Sequence, residues 1–251
     1  MENNLRSKYD DPVFFEKYSQ MSRSQQGLEG AGEWETLQKL LPDFQGKRVL
    51  DLGCGYGWHC IYAMEHGAAA VTGVDLSERM LAVAQEKTRF SEVRYLRMPI
   101  EETDFPPDSF DIVFSSLAFH YVRSFEEIVR RVSACLTEGG HFIFSVEHPV
   151  FTAYGTQDWI YDEEGEILHF PVDRYFLEGK REARFLGEEV VKYHKTLTTY
   201  LSGLLHGGFE LLDVVEPQPP EPMLSLPGMQ DEMRRPLFLI VSARKKPVLK
   251  K

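Results

Sequence analysis

The apolar positions of this chain fall into two alternating rhythms between about residue 45 and residue 147. Short, almost continuous apolar runs read as strands buried on both faces. They are Val49–Leu52, the AAVTGVD stretch ending at Asp75, Val93–Met98, Phe110–Ser115 and His141–Val146. Between them lie segments with helical spacing: Tyr56–His66 stopped by Gly67, a helix capped by Ser77 that carries Met80, Leu81, Val83 and Ala84, and Phe125–Leu136 stopped at Gly139-Gly140. Upstream, Trp34, Leu37, Leu40 and Leu41 also recur at helical spacing before Gly46. Regular strand–helix alternation predicts an α/β fold, a parallel sheet with right-handed crossovers. The rhythm then breaks. From His148 to His194 the chain is rich in aromatic residues without a period, with one hairpin predicted in WIYDEEGEILHF, turning at Glu164-Gly165. A helix at Leu197–Leu205, a sixth strand at Phe209–Val215, the proline-rich loop PQPPEPMLSLPG and a final strand at Leu237–Ala243 follow.

Three units are expected: an N-terminal lid segment over residues 1–30, a main domain over 31–251, and within it a substrate-lid insert over 148–195. The first holds an aromatic knot, Tyr9, Phe14, Phe15 and Tyr18, joined to the rest by QQGLEGAG, which reads as a flexible joint. With 251 residues, 43% hydrophobic and 27% charged, the chain can bury one large core. A net charge of −11 argues against nucleic acid as a partner. The basic cluster Arg244-Lys245-Lys246 with Lys250 and Lys251 reads as a solvated terminus. No apolar run approaches the ~18 residues of a membrane span, and MENNLRSKYDDP is no signal peptide, so no membrane partner is expected. Cys54, Cys60 and Cys135 have neither disulfide nor zinc spacing, which suits a reducing cytoplasm. Cys54 reads as a space-filler in its turn. His59 beside Cys54 and Cys60 matches no standard metal site, and no metal is expected.

The chemistry concentrates in VLDLGCGYGWH, Val49 to His59. A strand runs into a turn with Gly53, Gly55 and Gly57 and opens a helix; the next strand ends in Asp75, placed to accept hydrogen bonds from ribose hydroxyls. The spacing is G-x-G-x-G, with Trp58 next, rather than the dinucleotide G-x-G-x-x-G. Asp51, two residues before the first glycine, would repel a pyrophosphate and welcome an ammonium or sulfonium. DLGCGYG, GVDLS (Gly73–Ser77) and FDIVFSSLAFHYV (Phe110–Val122) occur in order, and over residues 45–147 the chain resembles the class I S-adenosylmethionine-dependent methyltransferases. The resemblance implies a Rossmann-like, doubly wound seven-stranded sheet, mostly parallel with the last strand antiparallel, and S-adenosylmethionine as cofactor. It further implies Gly53, Gly55 and Gly57 against the methionine and ribose, Asp51 toward the ammonium, Asp75 on the ribose, and Leu76 and Met80 flanking adenine. Ser115 would contribute its carbonyl and Tyr18 would cap the methionine end. Pro99 stands where the family often has an acid on the adenine edge; the N–H of Ile100 remains for a ring nitrogen, and Glu101 or a carbonyl for the amino group.

Methyl transfer from a sulfonium is an in-line displacement in which the protein orients the acceptor, excludes water and sometimes removes a proton. Candidates for a base are His120 and Tyr121 after the fourth strand, Glu147 and His148 after the fifth, and His194 at the far end of the insert. His148, directly off a strand end, ranks first as catalytic residue and His120 second. Asp173-Arg174 is a further candidate for holding a polar substrate group. The expected activity is methylation of O or N in a small-molecule acceptor by a monomer or homodimer. Methylation of protein or tRNA, and cofactor binding without catalysis, are the alternatives. A nicotinamide-dependent dehydrogenase is opposed by Trp58 and Asp51.

Overall fold

The computed structural model describes residues 7–247. Three short helices come first: α1 (Pro12–Ser19), α2 (Ser22–Gln25) and α3 (Trp34–Leu37). Then β1 (Arg48–Leu52), α4 (Trp58–Glu65), β2 (Ala70–Asp75), α5 (Glu78–Lys87), β3 (Val93–Arg97), β4 (Phe110–Ser116), α6 (Phe125–Cys135) and β5 (Leu136–Glu147) alternate. The insert carries α7 (Pro149–Ala153), β6 (Ile160–Tyr161), β7 (Ile167–His169), β8 (Gly179–Phe185) and β9 (Glu188–His194). α8 (Leu197–His206), β10 (Phe209–Val215) and β11 (Phe238–Lys245) close the chain. The seven-stranded sheet has the order β10-β11-β5-β4-β1-β2-β3. The five strands from β5 to the edge strand β3 are parallel, and β11 is antiparallel to both its neighbours. This is the Rossmann-like α/β sheet that the alternation predicts. No helix among the described residues is long and apolar enough to cross a membrane.

Both faces of the sheet are covered, which is why its strands read as continuous apolar runs. Leu50, Leu52, Val113, Phe142 and Phe144 face α6 and α8, where Phe125, Ile128, Val132, Tyr200 and Leu204 complete one core. Val49, Ile112, Phe114 and Ile143 face the other way, onto Trp34, Leu37, Cys60, Ala63 and Leu81. Period-two alternation thus divides each strand between two cores.

Three local expectations are corrected. α6 ends at Cys135, because Leu136 is already extended and paired with Phe110. Gly139, at φ 73°, lies in the bulge where the register jumps to Ile112↔His141, so the two glycines interrupt a strand rather than stop a helix. The QQGLEGAG joint is packed: Gly27–Gly30 form a 3₁₀ turn, Gly27 sits under the Trp58 ring and a Cβ on Gly30 would meet the Ser22 carbonyl. The insert holds the expected hairpin, with Gly165 at φ 87°, and also the longer ribbon β8–β9. Leu186 and Gly187, both at positive φ (56° and 76°), make its two-residue turn.

The N-terminal segment docks on that ribbon. Asp11 caps α1 through the N–H groups of Val13 and Phe14, with Pro12 at the first helical position. Phe14 then packs with Ala183 and Val190 in a third small core. Lys17 bonds Glu188 at 2.7 Å. On its other side the segment reaches α5, where the Asp10 carboxylate accepts from the Ser77 hydroxyl at 2.6 Å.

Candidate active site

A cavity of about 1750 Å³ opens at the carboxyl ends of the parallel strands. That exceeds the roughly 300–1,000 Å³ of a site for one drug-sized ligand, so two molecules fit side by side. Its floor is the glycine turn and the ends of β2, β4 and β5. Its roof is the N-terminal segment, the β8–β9 ribbon and the loop bearing Met223, Leu226 and Met229.

One half is built around β1 and β2. Gly53 and Gly55 line it at φ 81° and 52°, and a Cβ placed on Gly55 would meet nothing within 4 Å. The bare backbone there leaves a cradle for a ligand. Asp75 lines it as well, its oxygens ordered by the N–H groups of Gly55 (2.9 Å) and Ser77 (2.8 Å). Each carboxylate oxygen keeps acceptor capacity for a ligand hydroxyl. Leu76, Met80, Pro99, Ile100 and Glu101 form an apolar slot with an acidic rim beside it, and Tyr18 enters from the roof. Asp51, expected at the cofactor, is not on the cavity wall: it lies behind the turn, buried under α4 beside Val49, His59 and Phe114. Its Oδ2 accepts from the Cys60 thiol at 3.4 Å, Oδ1 has no partner, and burial pushes the carboxyl up to about 7. A buried acceptor without a donor is costly unless a ligand or water supplies one. Cradle, ribose-type acid and apolar slot together fit a nucleoside.

The other half is built around the ends of β4 and β5. His120 lines it. Burial pushes this histidine down to about 3, so its ring is neutral. The Glu147 N–H donates to its Nδ1 at 3.4 Å. Assigned from that bond, the ring proton sits on Nε2. Glu147 accepts from Lys192 Nζ at 2.5 Å and from Gln157 Nε2 at 2.7 Å, while Lys192 also bonds the Gln157 carbonyl oxygen at 2.8 Å. Burial would raise the Glu147 carboxyl; His120, Lys192 and Gln157 outweigh it and hold the group below its usual range. Tyr121 and Tyr9 share a hydroxyl contact at 3.2 Å over this half, and Tyr9 packs edge-on against Tyr18.

The chain matches known proteins. Residues 50–144 fit the family model of a methyltransferase domain. A solved structure from Mesorhizobium loti, an S-adenosylmethionine-dependent methyltransferase, is 43% identical, covers 87% of this chain and all of its own, and superposes with a TM-score of 0.80. A Listeria monocytogenes structure with the same assignment, given provisionally, is 56% identical over 88% of this chain and all of its own, with a TM-score of 0.84. The chain belongs to the S-adenosylmethionine-dependent methyltransferases. A Haemophilus influenzae protein of unassigned function is 34% identical over 97% of this chain and 98% of its own length. The methyltransferase sheet, its cofactor and the expected class of reaction therefore stand.

Within this methyltransferase, several expected site residues sit elsewhere. Gly57 does not line the cavity; at φ 74° it caps α4, and a Cβ there would run into the Tyr95 hydroxyl. Ser115 is buried with its hydroxyl on the Leu52 carbonyl at 2.7 Å, and Ser116 and Leu117 take the wall position. His148 faces away from the cavity. Its Nδ1 accepts from Val150 N–H at 3.0 Å as the cap of α7, and its Nε2 lies 2.8 Å from Glu216, close enough to pair although off the hydrogen-bonding direction. His194 is held at both nitrogens, by Thr152 and by the Tyr175 carbonyl, each at 2.8 Å. Asp173 and Arg174 are not on the cavity wall. His59 is a core ring between Trp34 and Phe114.

Sequence reasoning passed over Lys192, Gln157 and Arg23, all on the cavity wall. The alternation of β9 carries a signal for the first: in EEVVKYH, Val190, Lys192 and His194 share the buried face. A lysine on an apolar face calls for a buried carboxylate.

Proposed function

We propose that the protein methylates an oxygen or nitrogen of a small molecule seated between His120 and the Glu147–Lys192 pair. The observation that carries this is the continuity of one cavity from Asp75 and Gly55 to His120, with more room than a cofactor alone needs. In this reading the cofactor lies over Gly53 and Gly55, its ribose on Asp75, its adenine between Leu76 and Met80 with the Ile100 N–H at the ring edge. Asp51 faces its ammonium, directly or through water, and Tyr18 covers the methionine end. When bound, S-adenosylmethionine supplies the methyl group and a neutral thioether leaving group.

His120 is the catalytic residue in this scheme, in a role different from a base. A ring whose Nδ1 already accepts from a backbone N–H presents Nε2–H as a donor. It orients an acceptor through a lone pair and does not collect a proton near neutral pH. The acceptor would therefore arrive as a nucleophile in its own right, a neutral amine or ring nitrogen, or an oxygen already ionised. The acidic chain and a closed roof favour a small molecule over RNA.

The test is turnover by His120→Ala and His120→Gln with a panel of amine, phenol and carboxylate acceptors. Alanine should lower kcat by roughly 10²-fold, the usual size of a lost acid–base or positioning group, while glutamine, which can place an amide N–H near the Nε2 position, keeps most of the rate. The pH profile should follow the acceptor's own ionisation. Equal loss in both variants, together with disappearance of a limb near neutrality, would return His120 to the role of base.

A further inference from the structure

We propose that the acceptor is a carboxylic acid with an apolar body, its carboxylate on the polar floor at His120 and Lys192 and its body under the loop that bears Met223 and Met229. The inference rests on the methyltransferase reading and names the substrate class for the acceptor half of the cavity. The floor offers hydrogen-bond donors. His120 lines it as a neutral ring with Nε2–H to give. Lys192 and Gln157 line it as well. Lys192 Nζ spends two of its three N–H groups, on Glu147 and on the Gln157 carbonyl oxygen, and Gln157 Nε2 spends one of its two, on Glu147. Among the described residues the remaining N–H of each has no hydrogen-bond partner. A second ammonium lies behind the loop that carries His120. Lys195, only 3% exposed, donates to the carbonyls of Phe119, Val122 and Tyr193 and to no carboxylate. Burial pulls it down only to about 8, against the weaker pull of Glu178 and Glu101, so it is charged at neutral pH. Its charge and that of Lys192 are both felt at His120. Two ammonium groups thus stand around one carboxylate, Glu147, and a buried excess of positive charge is met best by an anion.

The walls above this floor are apolar. Phe238 pairs in register with Glu147 and begins them, and Leu237, Phe151, Met223 and Met229 continue them. Methionine adapts its shape to what it covers. The loop that bears the two methionines is fastened to the β6–β7 hairpin. Arg234 donates to the carbonyls of Ile167 at 3.2 Å and Leu168 at 2.7 Å. The Arg235 guanidinium packs 4.4 to 5.1 Å from the ring centres of Phe151, Phe170 and Trp159. Phe151 therefore belongs to the fastening and to the cavity wall together. A carboxylate also suits a His120 that is no base. It is ionised at neutral pH unaided, whereas a phenol, at about 10, is not. One carboxylate oxygen forms the bond to the methyl carbon as the carbon–sulfur bond breaks and its electron pair stays on sulfur. The products are a methyl ester and a neutral thioether, and no proton has to leave.

Calorimetric titration of the full chain, saturated with S-adenosylhomocysteine, reads both ends of the site when straight-chain alkanoates of roughly four to ten carbons are compared with alkylamines of equal length. Alkanoate affinity should rise about two- to fourfold per added methylene, the scale of methylene burial. Amines should bind roughly tenfold more weakly or worse. Met223→Ser/Met229→Ser should flatten the rise with length. Lys192→Met/Glu147→Gln, which removes the pair without leaving either charge alone, should weaken every alkanoate roughly tenfold or more. Unchanged S-adenosylhomocysteine affinity reports that a variant has folded, and the wild-type comparison decides whether or not it has. With S-adenosylmethionine the wild-type chain should turn the best-bound alkanoate into its methyl ester, read by mass spectrometry. No rise with length, or an equal rise in the folded serine variant, overturns the apolar seat. Amines bound or methylated in preference to acids overturn the carboxylate and leave the small-molecule reading standing. Alkanoates bound without ester formation overturn it too. A wild-type chain that binds no S-adenosylhomocysteine overturns the cofactor site beneath both readings.

Discussion

At the scale of single residues, the glycines of the first motif do different work despite their even spacing. Gly55 is bare toward the cavity, whereas Gly57 is bare toward Tyr95, inside the fold. All three have positive φ, so any side chain at these places carries backbone strain of order 1 kcal/mol or more. Beyond that shared cost the consequences diverge. Gly57→Ala should lower the melting temperature, because the new methyl meets the Tyr95 hydroxyl. Gly55→Ala should cost cofactor affinity above all, because its methyl projects into the cradle. Thermal melts with and without S-adenosylhomocysteine check this: ligand should restore much of the Gly57→Ala melting temperature and little of the Gly55→Ala deficit. A matched response in the two variants would make the motif a uniform binding loop.

At the scale of elements, the N-terminal segment and the ribbon behave as one body across the cavity. Phe14 is the residue that joins them, fully buried against Ala183 and Val190. Phe14→Ala removes a large buried ring, a change worth about 3–5 kcal/mol in a closed core. Here it should open the roof instead of the sheet, since the third core is separate from the other two. Faster proteolytic cleavage within residues 7–23 and weaker S-adenosylhomocysteine binding are expected, with the denaturant midpoint of the sheet nearly unchanged. A large drop in that midpoint at wild-type affinity would make Phe14 ordinary core. These contacts also explain what the sequence conceals. The sheet is legible because local spacing dictates it: two-sided burial leaves apolar runs, and Ser77 and Ser124 cap helices by bonds three residues on. Asp75 is legible because it ends a strand, while Leu76, Met80 and Ile100 are reached through the family resemblance of the motifs around them. The ribbon turns on Leu186-Gly187, a pair that carries φ > 0 with only one glycine, so no hairpin signal stands out. Arg23 and Lys192 find their carboxylates 10 and 45 residues away, at Glu33 and Glu147. Pairings over such distances leave no period. His148 misleads because a strand end predicts where the backbone stops and not which way the next ring turns.

At the scale of the whole molecule, buried ionisable groups set the acid response. His59 and His120 are both pushed by burial to about 3, against about 6.5 in an unfolded chain. Below pH 6.5 the unfolded chain takes up protons that the fold refuses, so their contribution to stability falls as pH drops from about 6.5 toward 3. Asp51 acts in the opposite sense. Held protonated to about 7 in the fold and to about 3.9 when unfolded, it contributes stability that is complete below pH 3.9 and is lost as pH rises through 7. Burial also pushes His141, His148 and His194 down and Asp75 up; the histidines outnumber the acids, so unfolding free energy should climb between pH 4.5 and 6.5. His59→Phe, which keeps a ring between Trp34 and Phe114, should flatten that climb, and Asp51→Asn should steepen it. Denaturant titrations at several pH values decide, and a His59→Phe slope equal to wild type would remove that histidine from the account. The same closed architecture has a kinetic side. In the proposed reading the cofactor lies beneath residues 7–23, which are tied by Asp10 to Ser77 and by Lys17 to Glu188. If parting those ties is the slow step, it belongs to the spent cofactor and is blind to the acceptor: unrelated acceptors should then share a common ceiling on kcat, and the first turnover should outrun every later one.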